Sequence, residues 1–222
     1  MENSSMMQKC VIVGAGGHAR SVASSLLRKN EFQIQHIVDI AHLPVLNKDE
    51  KVLGIPVLSS SDLLKTLEQL KIKNIFIAIG DNQKRKALYA QLKNQGYLFP
   101  NHIAITATLC QEVQLGDGNI ILENTFVGPL CKIGSNNILN SGSVFEHESI
   151  LGSHSHLGPN SSVAGRVTLG DLVFMGIGSA TIPNLKIGNE VILGAGSTFI
   201  RNVERPGVYV GVPAQFKKDF PN

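Results

Sequence analysis

Hydrophobic and polar positions follow two different patterns along the chain, and one replaces the other near residue 102. Before that point, short apolar runs alternate with segments whose apolar residues recur at helical spacing. The runs predict strands at 10–14, 34–38 and 74–79, and the spaced segments predict helices at 21–29, after 59–62, and over about 83–95. This alternation predicts an α/β domain, with a parallel sheet covered by helices.

From Ile103 onward the chain repeats every six residues without a gap. Seventeen successive hexads open with an aliphatic residue or Phe in all cases but Thr181, whereas 43% apolar content would give about seven by chance. The second residue is Gly nine times. Such a period is typical of a parallel β-helix, in which three hexads form one coil. We expect the first residue to point into the bore and the glycines to adopt corner conformations that other residues resist.

Composition agrees with two domains, a Rossmann-like one at 1–102 and a β-helix at 103–222. The chain has 22 Gly, no Trp and only 5% aromatic residues, which suits thin aliphatic layers. A net charge of +3, without basic clusters interleaved with aromatics, argues against nucleic-acid binding. No apolar run is long enough to span a membrane and the start is not signal-like, so we expect a cytoplasmic protein.

A glycine-rich turn follows the first predicted strand. Gly14, Gly16 and Ala19 fit the dinucleotide-binding fingerprint, and Asp39 follows Ala19 at the spacing of the acidic residue in that motif. The glycines let backbone N–H groups at a helix start approach a phosphate. NAD, a mononucleotide, a nucleotide-sugar and a turn without a ligand all remain open, although the small size of this domain suits a mononucleotide or nucleotide-sugar better.

Three of the seven histidines lie close together, at His147, His154 and His156. His147 is a third-position residue, expected to face outward near a corner, with Gly165 one coil above it. Acyl transfer to an amine needs a base, and imidazole suits neutral pH. Glu146 or Glu148 could orient that imidazole, but neighbours on a strand point apart, so a corner or bulge would be needed.

Two other chemistries fit the residues less well. Gamma-class carbonic anhydrases hold zinc with three histidines on the same kind of helix, but their spacing differs from the one here, so we expect no metal. Cys110 and Cys131 occupy hexad positions that are structural, and the three cysteines form no CxxC motif. We therefore expect no acyl-enzyme.

The hexads, the ending from Gly207 to Ala214, and Gly16-Gly17-His18 together carry a family resemblance. Over residues 9–214 the chain resembles the bacterial sugar acetyltransferases, which include the bacillosamine-pathway N-acetyltransferases and the sialic acid O-acetyltransferases. The resemblance implies a left-handed β-helix and a homotrimer. It also implies acetyl-CoA bound between neighbouring prisms and a nucleotide-sugar held by the front domain.

The resemblance also implies roles for individual residues. His147 would be the general base and Glu148 its partner. The residues implied at the acetyl-CoA groove are His156, Gly165, Ile177, Gly194 and Ala195. The residues implied at the nucleotide-sugar are Gly16, Gly17 and His18 at the diphosphate, Asp39 at the base, and Gly80 and Asp81 in the strand-end crevice.

The chain departs from the family pattern at Ile40, at Ala104-Ile105-Thr106, and at Gln215. The departure at Ile40 bears on which nucleotide base or sugar the front domain accepts. The departure at Gln215 bears on a contact to the CoA phosphate. The expected reaction moves acetyl from acetyl-CoA to the 4-amino group of a UDP-linked amino-deoxy sugar. The alternatives are O-acetylation of sialic acid or another sugar, N-acetylation of a GDP-linked amino sugar, and a nucleotide-binding module without catalysis.

Overall fold

The computed structural model of the protein describes residues 7–40 and 50–220. The chain divides into two compact units, the first made of residues 1–79 and 87–100 and the second of residues 80–86 and 101–222. The segment 80–86 therefore groups with the later part of the chain. Within the described residues, no helix is both long and apolar enough to cross a membrane.

The first unit contains the predicted parallel sheet, which confirms the α/β expectation. Its elements are β1 Gln8–Val13, α1 Gly17–Lys29, β2 Phe32–Asp39, β3 Lys51–Val52, β4 Ile55–Ser59, α2 Leu63–Leu70, β5 Asn74–Ile77 and α3 Asn82–Asn94, the last beginning in the second unit. The strands lie in the order β3-β4-β2-β1-β5, and of these described strands β3 alone runs antiparallel to its neighbour.

The short β3–β4 hairpin was absent from the sequence prediction. Leu53 and Gly54 form its tight turn, and both have positive φ, at 52° and 81°. Such turns normally carry Asn or Gly at both positions. Because Leu stands at position 53, the sequence lacks the residue pair by which a hairpin turn is usually recognised.

The second unit is a left-handed parallel β-helix, as predicted. Three sheets form its sides, and within the repeat strands pair in parallel with the strand one coil later, as Lys132 does with Ile150, whereas the last two strands pair antiparallel. The strands are β6 His102–Ile103, β7 Thr108–Leu109, β8 Gln114–Leu115, β9 Ile120–Ile121, β10 Phe126–Val127, β11 Lys132–Ile133, β12 Ile138–Leu139, β13 Val144–Phe145, β14 Ile150–Leu151, β15 His156–Leu157, β16 Ser162–Val163, β17 Thr168–Leu169, β18 Phe174–Met175, β19 Ala180–Thr181, β20 Lys186–Ile187, β21 Val191–Leu193, β22 Thr198–Phe199, β23 Gly207–Val210 and β24 Gln215–Lys218.

The glycines at second hexad positions serve a different purpose from the one predicted. None of them has a positive φ, so the expected corner conformation is wrong. A Cβ at Gly152 would instead lie 2.6 Å from the backbone carbon of Gly170, and one at Gly176 would lie 2.6 Å from the nitrogen of Ala195. These glycines are required because neighbouring coils approach too closely for any side chain.

The fourth residue makes the corner in all hexads but the first and the last. Every fourth position from 112 to 196 has φ between about 54° and 70°, in the left-handed region that most residues avoid. Asn and Gly occupy many of these positions, but Glu148, His154 and Arg166 occupy three of them. The corner therefore holds large polar side chains in an uncommon backbone conformation, which is where function tends to concentrate.

First-position residues fill the bore of the β-helix, as the sequence predicts. Phe145, Leu151, Leu157 and Val163 are among those almost completely buried. Fifth-position hydroxyls line the same interior, and that of Ser155 donates to the Gly170 carbonyl. This regular core gives the outward-facing side chains a rigid frame.

Candidate active site

His147 and Glu148 form a hydrogen-bonded pair at a corner after β13. The Nδ1 atom of His147 lies 3.0 Å from Oε2 of Glu148. Adjacent residues can meet in this way because Glu148 has φ of 58°, the corner that the sequence argument required. Pairing at Nδ1 favours the tautomer that leaves Nε2 as a proton acceptor. The imidazole is 46% exposed, so a substrate can reach it.

Gly165 lies one coil above His147 and keeps the space over the imidazole clear. A Cβ at Gly165 would collide with Nε2 and would lie 2.5 Å from Cε1. The backbone N–H of Gly165 donates to no backbone partner in the described part of the chain. The structure thus brings His147, Glu148 and Gly165 together.

In the described part of the chain, the charged residues with contacts at the His147–Glu148 pair are Glu146, Arg166 and Glu148 itself. Glu146 accepts a hydrogen bond from the His147 backbone N–H at 3.3 Å, so it does not pair with the ring. Arg166 donates from Nε to Oε2 of Glu148 at 3.0 Å. The hydrogen bonds from Arg166 and His147 hold the pKa of Glu148 below its ordinary value. Sequence reasoning missed Arg166, although the coil period places it directly above Glu148.

The other two clustered histidines have contacts of their own. Nδ1 of His154 lies 2.8 Å from Nδ2 of Asn136. His156 is 8% exposed, with Nε2 at 3.2 Å from Nδ2 of Asn140 and Nδ1 at 3.4 Å from the Gly80 carbonyl. The ring of His156 meets Phe174 edge to face at 5.2 Å. Asn140 is a second neighbour that sequence reasoning missed, because its separation from His156 does not match the coil period.

The remaining residues predicted for the CoA groove stack on consecutive coils. Ile177 is 56% exposed, and its carbonyl accepts from the N–H of Gly196 at 2.9 Å. Ala195 lies one coil beyond Ile177 and is exposed, and Gly194 precedes it.

In the first unit, the glycine turn and Asp39 lie at the carboxyl ends of adjacent strands. The Gly14 N–H donates to the Val38 carbonyl at 2.8 Å, and Asp39 is 1% exposed. Gly14 has φ of 113°, and a Cβ there would lie 2.7 Å from the Ala78 carbonyl oxygen, so the fold requires this glycine. At Gly16 and Gly17 a Cβ would meet nothing within 4 Å. The fold therefore leaves the space beside these two glycines open.

The start of α1 has the features of an anion site. Gly16 caps the helix without a side-chain hydrogen bond, and no acidic residue lies in its first turn. His18 is the second residue of this helix. Uncapped N–H groups and the helix dipole attract a phosphate.

Gly80 and Asp81 line an open cavity of about 480 Å³ in the second unit. Its other walls are Asn82, Gln83, Lys84, Leu172, Phe174, Ile192 and Phe220. Arg85 anchors this segment to the coils and is 1% exposed. Its guanidinium donates to the carbonyls of Asn136, His154 and Ser155 at 3.1, 2.9 and 3.0 Å. Burial lowers the pKa of Arg85 to about 9, against the opposing effect of the Asp81 charge.

The rival chemistries find little support in the side chains. Burial raises the pKa of Cys10 to about 12 and also raises that of Cys131, so neither is a ready nucleophile. Over 7–40 and 50–220, no three residues of the types His, Cys, Asp and Glu are grouped so that they could hold a metal.

Comparisons with known proteins cover almost the whole chain. The family profile described as the PglD N-terminal domain matches residues 9–92. The crystal structure of PerB from Caulobacter crescentus, in complex with CoA and GDP-perosamine, is 34% identical over 95% of this chain and 98% of that one, with a TM-score of 0.86. Two mutants of a perosamine N-acetyltransferase from the same organism, with one histidine changed to Asn or Ala, were also solved with CoA and GDP-perosamine, and each is 34% identical to this chain.

More distant structures share the fold. The acetyltransferase domain of PglB from Neisseria gonorrhoeae, in complex with acetyl coenzyme A, is 22% identical over 95% of this chain and 99% of that one, with a TM-score of 0.84. WeeI from Acinetobacter baumannii is also 22% identical, over 95% of this chain and all of the other, with a TM-score of 0.80.

Proposed function

This chain belongs to the family of bacterial sugar N-acetyltransferases built on a left-handed β-helix, and we propose that it acetylates the 4-amino group of a nucleotide-linked amino-deoxy sugar, using acetyl-CoA. The observation that carries the proposal is the His147–Glu148 pair beneath Gly165, where a base has one nitrogen fixed and the other open. A non-catalytic nucleotide-binding module would have no use for such an arrangement.

The residues support direct transfer without an acyl-enzyme. Nε2 of His147 takes a proton from the substrate ammonium, and the freed amine attacks the thioester carbonyl. The C–N bond forms first and gives a tetrahedral oxyanion. Its collapse breaks the C–S bond, the new nitrogen loses a proton to leave the amide, and the CoA thiolate takes up a proton to leave as the thiol. Glu148 orients the imidazole, and the N–H of Gly165 donates to the oxyanion that forms during attack.

The ligands are assigned to two surfaces. Acetyl-CoA is assigned to the edge of the β-helix along Ile177, Gly194 and Ala195, and His156 is assigned to it as well. The nucleotide diphosphate binds at the start of α1, where Gly16 and Gly17 leave room and His18 lies close by. Asp39 would accept a hydrogen bond from the nucleotide base, and Gly80 and Asp81 are also assigned to the nucleotide-sugar.

Two nucleotides are candidates for the substrate. The UDP-linked sugar follows from the resemblance to the bacillosamine-type enzymes. The GDP-linked sugar is favoured by the 34% identical relative, whose structure holds GDP-perosamine together with CoA. Both are nucleotide-linked amino sugars, so the chemistry at His147 is unchanged.

A direct assay tests this function. The purified protein is mixed with acetyl-CoA and either a UDP-linked or a GDP-linked 4-amino sugar, and release of CoA thiol is followed with His147→Ala as the control. We expect release with one nucleotide far above the other, and little with His147→Ala. Hydroxylamine treatment then separates products, because it cleaves an ester but leaves an amide. Release with sialic acid alone, giving an ester, would overturn the N-acetyl proposal in favour of O-acetylation.

We also propose a homotrimer with acetyl-CoA between neighbouring prisms. Large hydrophobic residues on the outside of the β-helix support this, since Ile105, Ile177, Ile182 and Ile200 are each at least 41% exposed. Light scattering after gel filtration measures the mass of the assembly. A monomer that is fully active at assay concentration would contradict the proposal.

A further inference from the structure

Arg166 shares the carboxylate oxygen that orients His147. Oε2 of Glu148 lies 3.0 Å from Nδ1 of His147 and 3.0 Å from Nε of Arg166. One oxygen thus accepts from two donors, of which one is permanently charged. Removing the Arg166 guanidinium therefore changes the environment of the carboxylate that pairs with the imidazole.

The backbone holds Arg166 in this place. Its N–H donates to the His147 carbonyl at 2.9 Å, and its φ of 60° repeats the corner of Glu148 one coil below. Because the coils stack in register, the side chain of Arg166 starts from a fixed point directly above Glu148. Arg166 therefore contacts both members of the His147–Glu148 pair, His147 through its main chain and Glu148 through its side chain.

We propose that Arg166 is a positioning residue that sets the pH range in which His147 works as a base; this inference rests on the proposed function. The guanidinium fixes one rotamer of Glu148 and offsets part of its negative charge. A carboxylate without this cation stabilises a protonated imidazole more strongly, and a protonated imidazole cannot accept the substrate proton.

Few other charged residues lie near His147 in the described part of the chain. Glu146 is the remaining charged neighbour on the same coil, and its Oε2 is engaged by the His147 N–H. The coil below presents Gly128, Pro129 and Leu130, none of which titrates. The coil above presents Gly165 and Arg166. Among the residues that the structure describes, Arg166 is the cation that an ion pair joins to this corner.

The test compares Arg166→Met with Arg166→Lys in the full-length protein. Two pH midpoints are measured: that of the acid limb of kcat/KM, and that of the chemical-shift change of the His147 Cε1–H proton. Comparison with the spectrum of His147→Gln assigns this resonance. For Arg166→Met we expect both midpoints to rise by about half a pH unit, the scale of an exposed ion pair. Arg166→Lys keeps the charge, so both of its midpoints should stay close to the wild-type values.

The control is Lys186→Met, which removes an exposed cation elsewhere on the same β-helix. It should move neither midpoint, and thermal melting confirms that each variant is folded. The inference is overturned if Arg166→Met leaves the resonance unmoved, or if Lys186→Met or Arg166→Lys moves it equally. If His147 is not the base, a different result is expected: the midpoint of the acid limb in the wild-type protein would not agree with the midpoint of the His147 resonance.

Discussion

Replacing Gly165 with alanine should abolish most of the activity without unfolding the protein. The added Cβ would lie 2.5 Å from Cε1 of His147, whereas ordinary contact begins at 3.4 Å, so the ring must retreat by about 0.9 Å. Displacement of a catalytic group by about 1 Å can cost about 100-fold in rate. The loss should appear in kcat, because alanine keeps the backbone N–H that is assigned to the oxyanion.

Stability should change little in Gly165→Ala, since the colliding atoms belong to an exposed side chain that can rotate. Gly152→Ala is the matched contrast, because its Cβ would lie 2.6 Å from the Gly170 backbone carbon. That clash cannot be relieved by a rotamer change, and overpacking of this kind costs about 1–3 kcal/mol. Melting temperatures of the two variants should therefore differ, with only Gly152→Ala clearly below wild type.

The assay is CoA thiol release at saturating concentrations of both substrates, repeated in the His147→Ala background. Once the imidazole is gone, Gly165→Ala should add little further loss, and this non-additivity ties the two positions together. Full kcat in the single variant, or independent losses that add in the double variant, would refute the argument that Gly165 acts by leaving room for the base.

Three further outcomes follow from the contacts. Glu148→Gln should lower kcat at least about tenfold and move the acid limb of the rate profile to lower pH, because the pKa of Glu148 is depressed and its charge is present throughout about pH 5 to 8; an unmoved limb would contradict this. Gly14→Ala should destabilise the first unit by at least about 1 kcal/mol, while Gly16→Ala should melt like wild type but bind the nucleotide-sugar more weakly by calorimetry; equal binding would remove Gly16 from the site. Arg85→Met should lower the free energy of unfolding by at least about 2 kcal/mol, because buried carbonyls lose their donor, and exposed Lys86→Met should not; denaturant titration distinguishes the two, and equal stabilities would contradict the anchoring role.

The β-helix was predictable in detail because its signal is periodic. The hexads identified the residues of the bore and the length of one coil, and from these the position of Gly165 above His147 followed. The corner conformation was assigned to the wrong residues, although Asn124, Asn136 and Asn160 at fourth positions carried the information, since Asn tolerates positive φ.

Contacts outside the repeat could not be predicted. Arg85 reads as one residue of a basic, solvated helix, yet it is buried against three carbonyls whose positions depend on tertiary packing. The choice between Glu146 and Glu148 likewise depended on one backbone dihedral angle that spacing alone does not determine. Assignment of ligands to the glycine turn stays a prediction, because an open space beside Gly16 and Gly17 accepts more than one nucleotide.

The stacking of coils has a consequence for how such a sequence can vary in length. His147 meets Gly165, and Glu148 meets Arg166, across a separation of one full coil. Deleting a single residue between them would slide every later side chain by one position, turning bore residues outward and separating both pairs at once. Extra residues can be accommodated only as loops at the corners, or as whole coils added beyond the site. The interval from His147 to Arg166 should therefore be more resistant to insertions and deletions than any single side chain outside it is to substitution.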